Sequence, residues 1–272
     1  MQQRVAPIDP QVDATSPNGA ASLSVKDLAS LLKIDLASVG FDRGANFTLR
    51  RVPQGVALYR AGDAFGPLYA IRSGTFKTVL LDANGGYQVL GFPMSGDVLG
   101  LDGIEARHYR TEAVALEDSE VAIMPFARLA RFEGRSAGSQ TSTDPSRLPQ
   151  LAQLGGNQSE QQQFVYRLLS RQLTRDHTQM WLLGSLGAEA RVAAFLLILG
   201  ERYARLGYSD TRFNLRMTRL DLGSFLGLTQ ETVSRALSGF DADDVIRVHN
   251  KDLQLLDVDR LHQIVADARH AG

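Results

Sequence analysis

The 272 residues contain no cysteine. Disulfides, thiolate zinc sites, cysteine nucleophiles and cysteine-ligated iron–sulfur clusters are therefore excluded within them, and the composition fits a reducing compartment. Long apolar runs are missing as well. None approaches the roughly 20 residues that a membrane-spanning helix needs, and the opening MQQRVAPIDPQVDATSPNGAAS lacks the apolar core of a secretory signal. The expectation is a soluble, cytoplasmic protein with no membrane partner. There is also no excess of charge of either sign: the net charge is −1. No global field draws the chain to nucleic acid, so any such affinity must come from a local patch. Finally, no catalytic constellation stands out. The five histidines are scattered, no Gly-rich phosphate loop joins a strand to a helix, and no paired-His spacing suggests zinc, so an enzyme is not expected.

What is present is a 44% hydrophobic composition, enough for two cores at the usual domain size of roughly 100–200 residues. Residues 1–22 are rich in Pro, Ala, Ser, Asp and Gln and read as a disordered tail. Residues 23–134 open on SVKDLASLLKI, a short amphipathic helix with Ser24 as its cap. They continue with the strand-like runs FTLRRV, VALYRA, LYAIRSG, TFKTVLL, YQVLGF and EVAIMP, punctuated by glycines. That texture predicts a small all-β sandwich or roll. Residues 135–158 are a polar, low-complexity insert.

Residues 159–187 carry Leu169, Leu173, Asp176, Met180 and Leu183 at alternating steps of four and three. That is the seam spacing of a coiled coil. The preferred reading is a dimerisation helix; a helix facing its own core is the plainer alternative.

Residues 188–272 read as helix, two further helices, a hairpin around NKD and a closing helix, the layout of a winged helix-turn-helix. Within RLDLGSFLGLTQETVSRAL, two helices joined by a tight turn bury Leu222, Leu226, Leu228, Val233 and Ala236. Gly223 gives the small contact where the helices cross, Gly227 takes the turn and Thr229 caps the second helix. Gln230, Glu231, Ser234 and Arg235 are left facing outward at the front of that helix. These side-chain types read base edges: Arg pairs with guanine and Glu accepts from the cytosine amino group. On an arbitrary helix, Glu231 and Arg235 would be no more than a solvated i, i+4 pair. Arg202, Arg205, Arg212, Arg216 and Arg219 lead into the motif, and Arg216, Arg219 and Thr229 are the candidates for phosphate contacts.

With these residues in place, the chain resembles the CRP/FNR family of bacterial transcription regulators, and the FNR branch most closely. The likeness runs from about Val25 to Val265. It is most specific in RAGDAFGPLYAIRSGTFKTVLLDANGGYQVLGFPMSGDVLG, EARVAAFLLILGERYARLG and FNLRMTRLDLGSFLGLTQETVSRAL. The resemblance implies an α+β homodimer: an N-terminal double-stranded β-roll of the cyclic-nucleotide-binding kind, a long dimer helix and a C-terminal winged helix-turn-helix on double-stranded DNA. The FNR branch carries Glu, Ser and Arg at the positions of Glu231, Ser234 and Arg235, which implies a palindromic site with TTGAT-like halves. Gln230 sits where branches vary. The family makes an activating contact with RNA polymerase at the loop LDANGGYQ. In the FNR branch, an Asp at the point of Asp176 opposes its twin and weakens the dimer.

The sensor end departs from these relatives, and three routes of control follow. The iron–sulfur cluster of the FNR branch is impossible without cysteine. The cyclic-nucleotide branch holds ribose with Gly-Glu and phosphate with Arg-Ser or Arg-Thr; here Arg110 and Thr111 stand at the phosphate end, but Gly100 is followed by Leu101 and Asp102 rather than Glu. Haem is the third route, with His108 and His177 as candidate axial ligands and Met180 one turn beyond His177. No cofactor is certain. A rival of another class is an oligomeric ligand-binding module whose C-terminal part docks protein rather than DNA.

Overall fold

The computed structural model describes residues 21–34, 46–81, 86–126 and 156–270. The expected tail up to residue 20, most of the polar insert and positions 82–85 of the LDANGGYQ loop lie outside the described residues.

Strand β1 (Ser22–Ser24) runs into helix α1 (Val25–Leu32). Ser24 caps it as expected, its Oγ accepting from Asp27 N–H at 3.1 Å. Strands β2 (Asn46–Val52), β3 (Ala57–Tyr59), β4 (Pro67–Ser73), β5 (Phe76–Leu81), β6 (Tyr87–Gly91) and β7 (Val98–Leu99) follow. The one-turn helix α2 (Gly103–Ala106) and strands β8 (Glu112–Ala115) and β9 (Ser119–Pro125) complete the roll. One sheet has the order β1-β2-β9-β4-β7 and the other β3-β8-β5-β6, all antiparallel. Each of the six runs read as strands contains one, whereas β1, β7 and β8 were not foreseen.

Strand β4 shows how the roll is layered. Tyr69 and Ile71 face the inner core with Val52, Phe76, Tyr109 and Val121. The alternate residues Leu68 and Ala70 face the other way, where α1 covers them with Leu28 and Leu32. A strand apolar on both faces is what two covering layers require.

Helix α3 (Gly156–Ser185) has 30 residues, hence a length of about 45 Å. It begins three residues before the expected start and ends two before the expected end. One side serves the roll: Phe164 and Leu168 join the cluster under α1, and Arg171 donates to the carbonyl oxygens of Leu32 and Lys33. The other side is open, with Tyr166 64%, Leu173 57% and Met180 69% exposed.

The C-terminal part comprises α4 (Ala188–Arg205), β10 (Arg212–Asn214), α5 (Arg219–Leu226), α6 (Gln230–Ala242), β11 (Ile246–His249), β12 (Asp252–Leu255) and α7 (Val258–His270). The hairpin expected around NKD is β11–β12, and the unforeseen β10 adds to it in the order β10-β12-β11. Its core, built on Val192, Ala193 and Leu196 of α4, also takes Val79, Val89, Phe92 and Met94 from the roll. The two parts therefore share one apolar cluster, in which Phe92, Phe195 and Phe225 meet at ring distances of 5.2–6.0 Å.

Polar contacts frame that junction. Lys77 Nζ of β5 lies 2.5 Å from Asp221 Oδ1 of α5. Val89 N–H donates to Ser224 Oγ at 2.8 Å, and Gln88 Nε2 donates to the Ser224 carbonyl. Arg216 pairs with Glu117 at 3.1 Å. Asp97 of the roll receives Arg175 from α3 and Arg202 from α4, joining three elements at one carboxylate.

Asp221 is 2% exposed. Burial alone would push its carboxyl up, but hydrogen bonds from Lys77 and Thr218 outweigh it and hold the pKa below the ordinary value of 3.8. A depressed carboxylate pKa contributes stability that is complete above the unfolded value and is lost as pH falls through the folded one. Replacing Lys77 by Met should therefore cost roughly 1–3 kcal/mol at neutral pH. The deficit against wild type should shrink as pH falls through the depressed pKa of Asp221. Urea unfolding of both proteins from pH 7 to pH 3 measures this; a deficit independent of pH would contradict it.

Candidate nucleic-acid interface

The helix-turn-helix begins with a reciprocal cap. Thr218 Oγ1 accepts from Asp221 N–H at 3.0 Å, while Asp221 Oδ2 accepts from Thr218 N–H at 3.1 Å and from Thr218 Oγ1 at 2.7 Å. Two otherwise unpartnered donors at the start of α5 are satisfied at once. The helix stops at Gly227, whose φ of +63° is left-handed and costs glycine little. A Cβ on Gly223 would stand 2.7 Å from the Leu228 carbonyl oxygen, so only glycine lets the turn approach this closely. Thr229 then caps α6, its Oγ1 accepting from Thr232 N–H at 3.1 Å.

The faces of α6 divide as the sequence pattern requires. Val233, Leu237 and Phe240 are buried against Leu222 and Leu226 of α5. Leu228 and Ala236 are only partly buried, at the edge of the same cluster. Gln230, Glu231 and Arg235 are exposed and Ser234 is half-buried, all at the front of the helix. The Arg235 guanidinium leans to Thr232 Oγ1 at 3.4 Å rather than to Glu231. Glu231 also lies in the first turn, where the helix dipole favours a negative charge. An open cleft of about 500 Å³ separates this front from Tyr87 and Gln88 of β6.

The basic approach to the motif is less basic than its composition indicates. Arg202 is held by Asp97, Arg205 by Glu201, Arg212 by Asp252 and Arg216 by Glu117. Arg216 is thus drawn toward the roll, and its candidacy for a phosphate contact would require breaking that pair. Burial depresses the Arg219 guanidinium, which is half-buried. Thr229 is exposed but engages its hydroxyl in capping.

A further anchor was not foreseen. Arg191 donates to the carbonyls of Leu183, Leu186 and Leu226 at 2.7–3.0 Å. It closes the C-terminal end of α3 and that of α5 with one guanidinium. No local pattern around Arg191 announces this, because two of its acceptors are backbone atoms of α3's end and one lies 35 residues away.

The seam residues stay apart from this front. Leu173, Asp176 and Met180 are exposed on α3, Leu169 and Leu183 are partly buried, and Asp176 Oδ1 accepts from Gln172 Nε2 at 2.9 Å. In the roll, Thr111 is buried and the Arg110 side chain turns outward to Glu105 at 3.3 Å. His108 and His177 are both exposed. Among the described residues, no cluster of three or more His, Asp or Glu could hold a metal ion, and no helix is long and apolar enough to cross a membrane.

Residues 190–264 match the Crp-like helix-turn-helix domain and residues 49–134 the cyclic nucleotide-binding domain. The transcriptional regulatory protein btr of Bordetella pertussis (strain Tohama I) is 41% identical over 216 residues, covering 79% of this chain and 80% of the relative. The fumarate and nitrate reduction regulatory protein of Escherichia coli (strain K12) is 35% identical over 233 residues, with 85% and 84% covered. Among solved structures, FixK2 from Bradyrhizobium japonicum aligns with a TM-score of 0.63 at 24% identity, over 80% of this chain and 96% of that one. The latter supports the fold alone. From the capped helix pair, the roll beneath it and the two relatives together, the chain belongs to the CRP/FNR family of DNA-binding transcription regulators.

Proposed function

We propose that the regulator works as a homodimer paired along α3 and reads a palindromic site with TTGAT-like halves. The observation that carries this reading is the front of α6. Gln230, Glu231 and Arg235, with Ser234 beside them, stand on a helix whose N-terminal end is held by the Thr229 cap and the close Gly223 contact. Arg235 reads guanine, Glu231 accepts from the cytosine amino group, and Ser234 and Gln230 complete the base contacts. The open stripe of Tyr166, Leu173 and Met180, spaced by seven, supports pairing of two α3 helices. Leu169, Asp176 and Leu183 form the second row of that seam. Leu80, Leu81 and Tyr87 are exposed on either side of the LDANGGYQ loop and support it as a surface for RNA polymerase and activation. These partners put its work in the cytoplasm. No cysteine-ligated cluster takes part, since the 272 residues have no cysteine.

Fluorescence anisotropy against a palindromic TTGAT-type duplex and a scrambled one tests the DNA reading. Specific binding should exceed non-specific by about 10³ or more and weaken steeply with salt. Arg235→Ala should lose roughly ten- to hundredfold on the specific duplex only. Equal affinity for both duplexes would overturn the reading.

Paired seams bring the two Asp176 carboxylates together, at a repulsion of roughly 1–3 kcal/mol in a partly dry interface. Asp176→Ala should therefore lower the dimer dissociation constant by about tenfold or more in sedimentation equilibrium. An unchanged constant would remove Asp176 from the seam.

A further inference from the structure

In a pair of chains joined along α3, the path from the seam to each recognition helix crosses one joint. Leu173, Asp176 and Met180 precede it on α3, and the front of α6 follows it. Helix α3 ends at Ser185, Leu186 and Gly187 lie in neither helix, and α4 starts at Ala188. Gly184 stands in the last turn of α3 and Gly187 at the cap of α4. Neither has a left-handed φ, and a Cβ on either would meet nothing within 4 Å. Neither close packing nor backbone conformation calls for glycine at these two positions. What they supply is backbone freedom, so the joint is pliable by its backbone alone.

Arg191 takes that freedom away. Its Nη2 donates to the Leu183 carbonyl of α3 at 2.7 Å and its Nε to the Leu186 carbonyl in the joint at 2.8 Å. Its Nη1 donates at 3.0 Å to the carbonyl of Leu226, the last residue of α5 before the turn into α6. A planar fork holds three carbonyls in a fixed relation, which the single point charge of a lysine does not. The surroundings are close: a Cβ on Gly227 would stand 3.4 Å from both Arg191 Nη1 and Leu183 Cδ2. The other ties act elsewhere. Lys77–Asp221 and Arg216–Glu117 join the DNA-binding part to the roll without α3, and Asp97 grips α3 and α4 through Arg175 and Arg202, away from the joint.

We propose that Arg191 is a positioning residue that sets which half-site spacing the regulator accepts. The inference rests on the reading of a homodimer on a palindromic site. Each base pair added between the halves moves one of them by about 3.4 Å and turns it by about 35°. Recognition helices held at a fixed angle to α3 match one spacing, and helices on loose joints match several. Base reading within a half-site stays with α6, because the Arg191 guanidinium is spent on carbonyls.

Fluorescence anisotropy of the full-length chain on palindromic TTGAT-type duplexes that differ only in spacer length tests this. Wild-type affinity should fall at least about tenfold when the best spacer is changed by one base pair, and that of Arg191→Met by less than about threefold. A base change inside the halves should cost both proteins the same factor. Arg191→Lys, which keeps the charge and loses the fork, should follow Arg191→Met and serves in its place if the latter does not fold. Leu261→Ala removes a fully buried side chain of α7, away from the joint, and should lower stability while keeping the wild-type spacer profile. A second readout needs no DNA: in a chain without cysteine, Ser238→Cys on the exposed side of α6 carries one spin label per protomer. Pulsed electron resonance should give a narrow distance distribution between the two labels, and Arg191→Lys should broaden it. A wild type indifferent to spacer length would overturn the palindrome reading together with this proposal. A sharp wild-type profile that the Arg191 variants leave sharp would overturn this proposal alone, as would a Leu261→Ala profile as flat as theirs.

Discussion

Asp221 is the group on which both the DNA-binding helices and their placement depend. One of its oxygens closes the reciprocal cap with Thr218 that starts α5, and the other receives Lys77 from the roll. A buried carboxylate is tolerable only when its lone pairs are taken up. Local helix formation and domain docking are therefore satisfied by the same side chain. Had the cap alone been required, an exposed Asp would suffice; its burial follows from the roll lying over it.

The arginines follow the same economy of partners. A chain with a net charge of −1 cannot rely on bulk attraction to DNA. Most of the arginines preceding α5 do not remedy that, because they bind carboxylates within the protein. Arg191, Arg202 and Arg216 are structural ties between elements rather than a basic surface. What faces outward from α6 is a short and chemically mixed set, suited to discriminating bases more than to gripping backbone. The proposed pairing of α3 would bring two recognition helices to one site and supply the affinity that a single such helix lacks.

The helix-turn-helix was legible in the sequence because each of its requirements is local. The Thr229 cap, the glycine turn and the apolar spacing fall within Arg219 to Phe240, and each draws on a narrow set of residue types; the Thr218–Asp221 cap was not foreseen. The roll was legible as a texture of strands, but β7, β8 and β1 escaped because two- to four-residue strands such as EAVA carry no periodicity of their own. They exist through pairing with distant partners. The ties between the two parts were illegible for the same reason. Lys77 and Asp221 are 144 residues apart, and nothing near either names the other. Asp102 was visible only as a departure from Glu; that its carboxylate accepts from the Arg110 and Thr111 N–H groups is visible only in the fold.

Helix α3 explains why its own signal was faint. A helix with one apolar stripe gives a clear periodicity, but α3 has duties on two sides. Phe164, Leu168 and Leu182 face the chain's own cores, and Tyr166, Leu173 and Met180 face away. Between them run Arg171 and Arg175, whose charges are engaged by the Leu32 and Lys33 carbonyls and by Asp97. Apolar residues spread round the helix dilute any single heptad, so the seam reads as two short repeats broken by Asp176. The two readings weighed from the pattern, a core-facing helix and a dimer helix, are then not exclusive. One face is core, and the exposed face is where a second copy would complete the burial that one chain leaves undone.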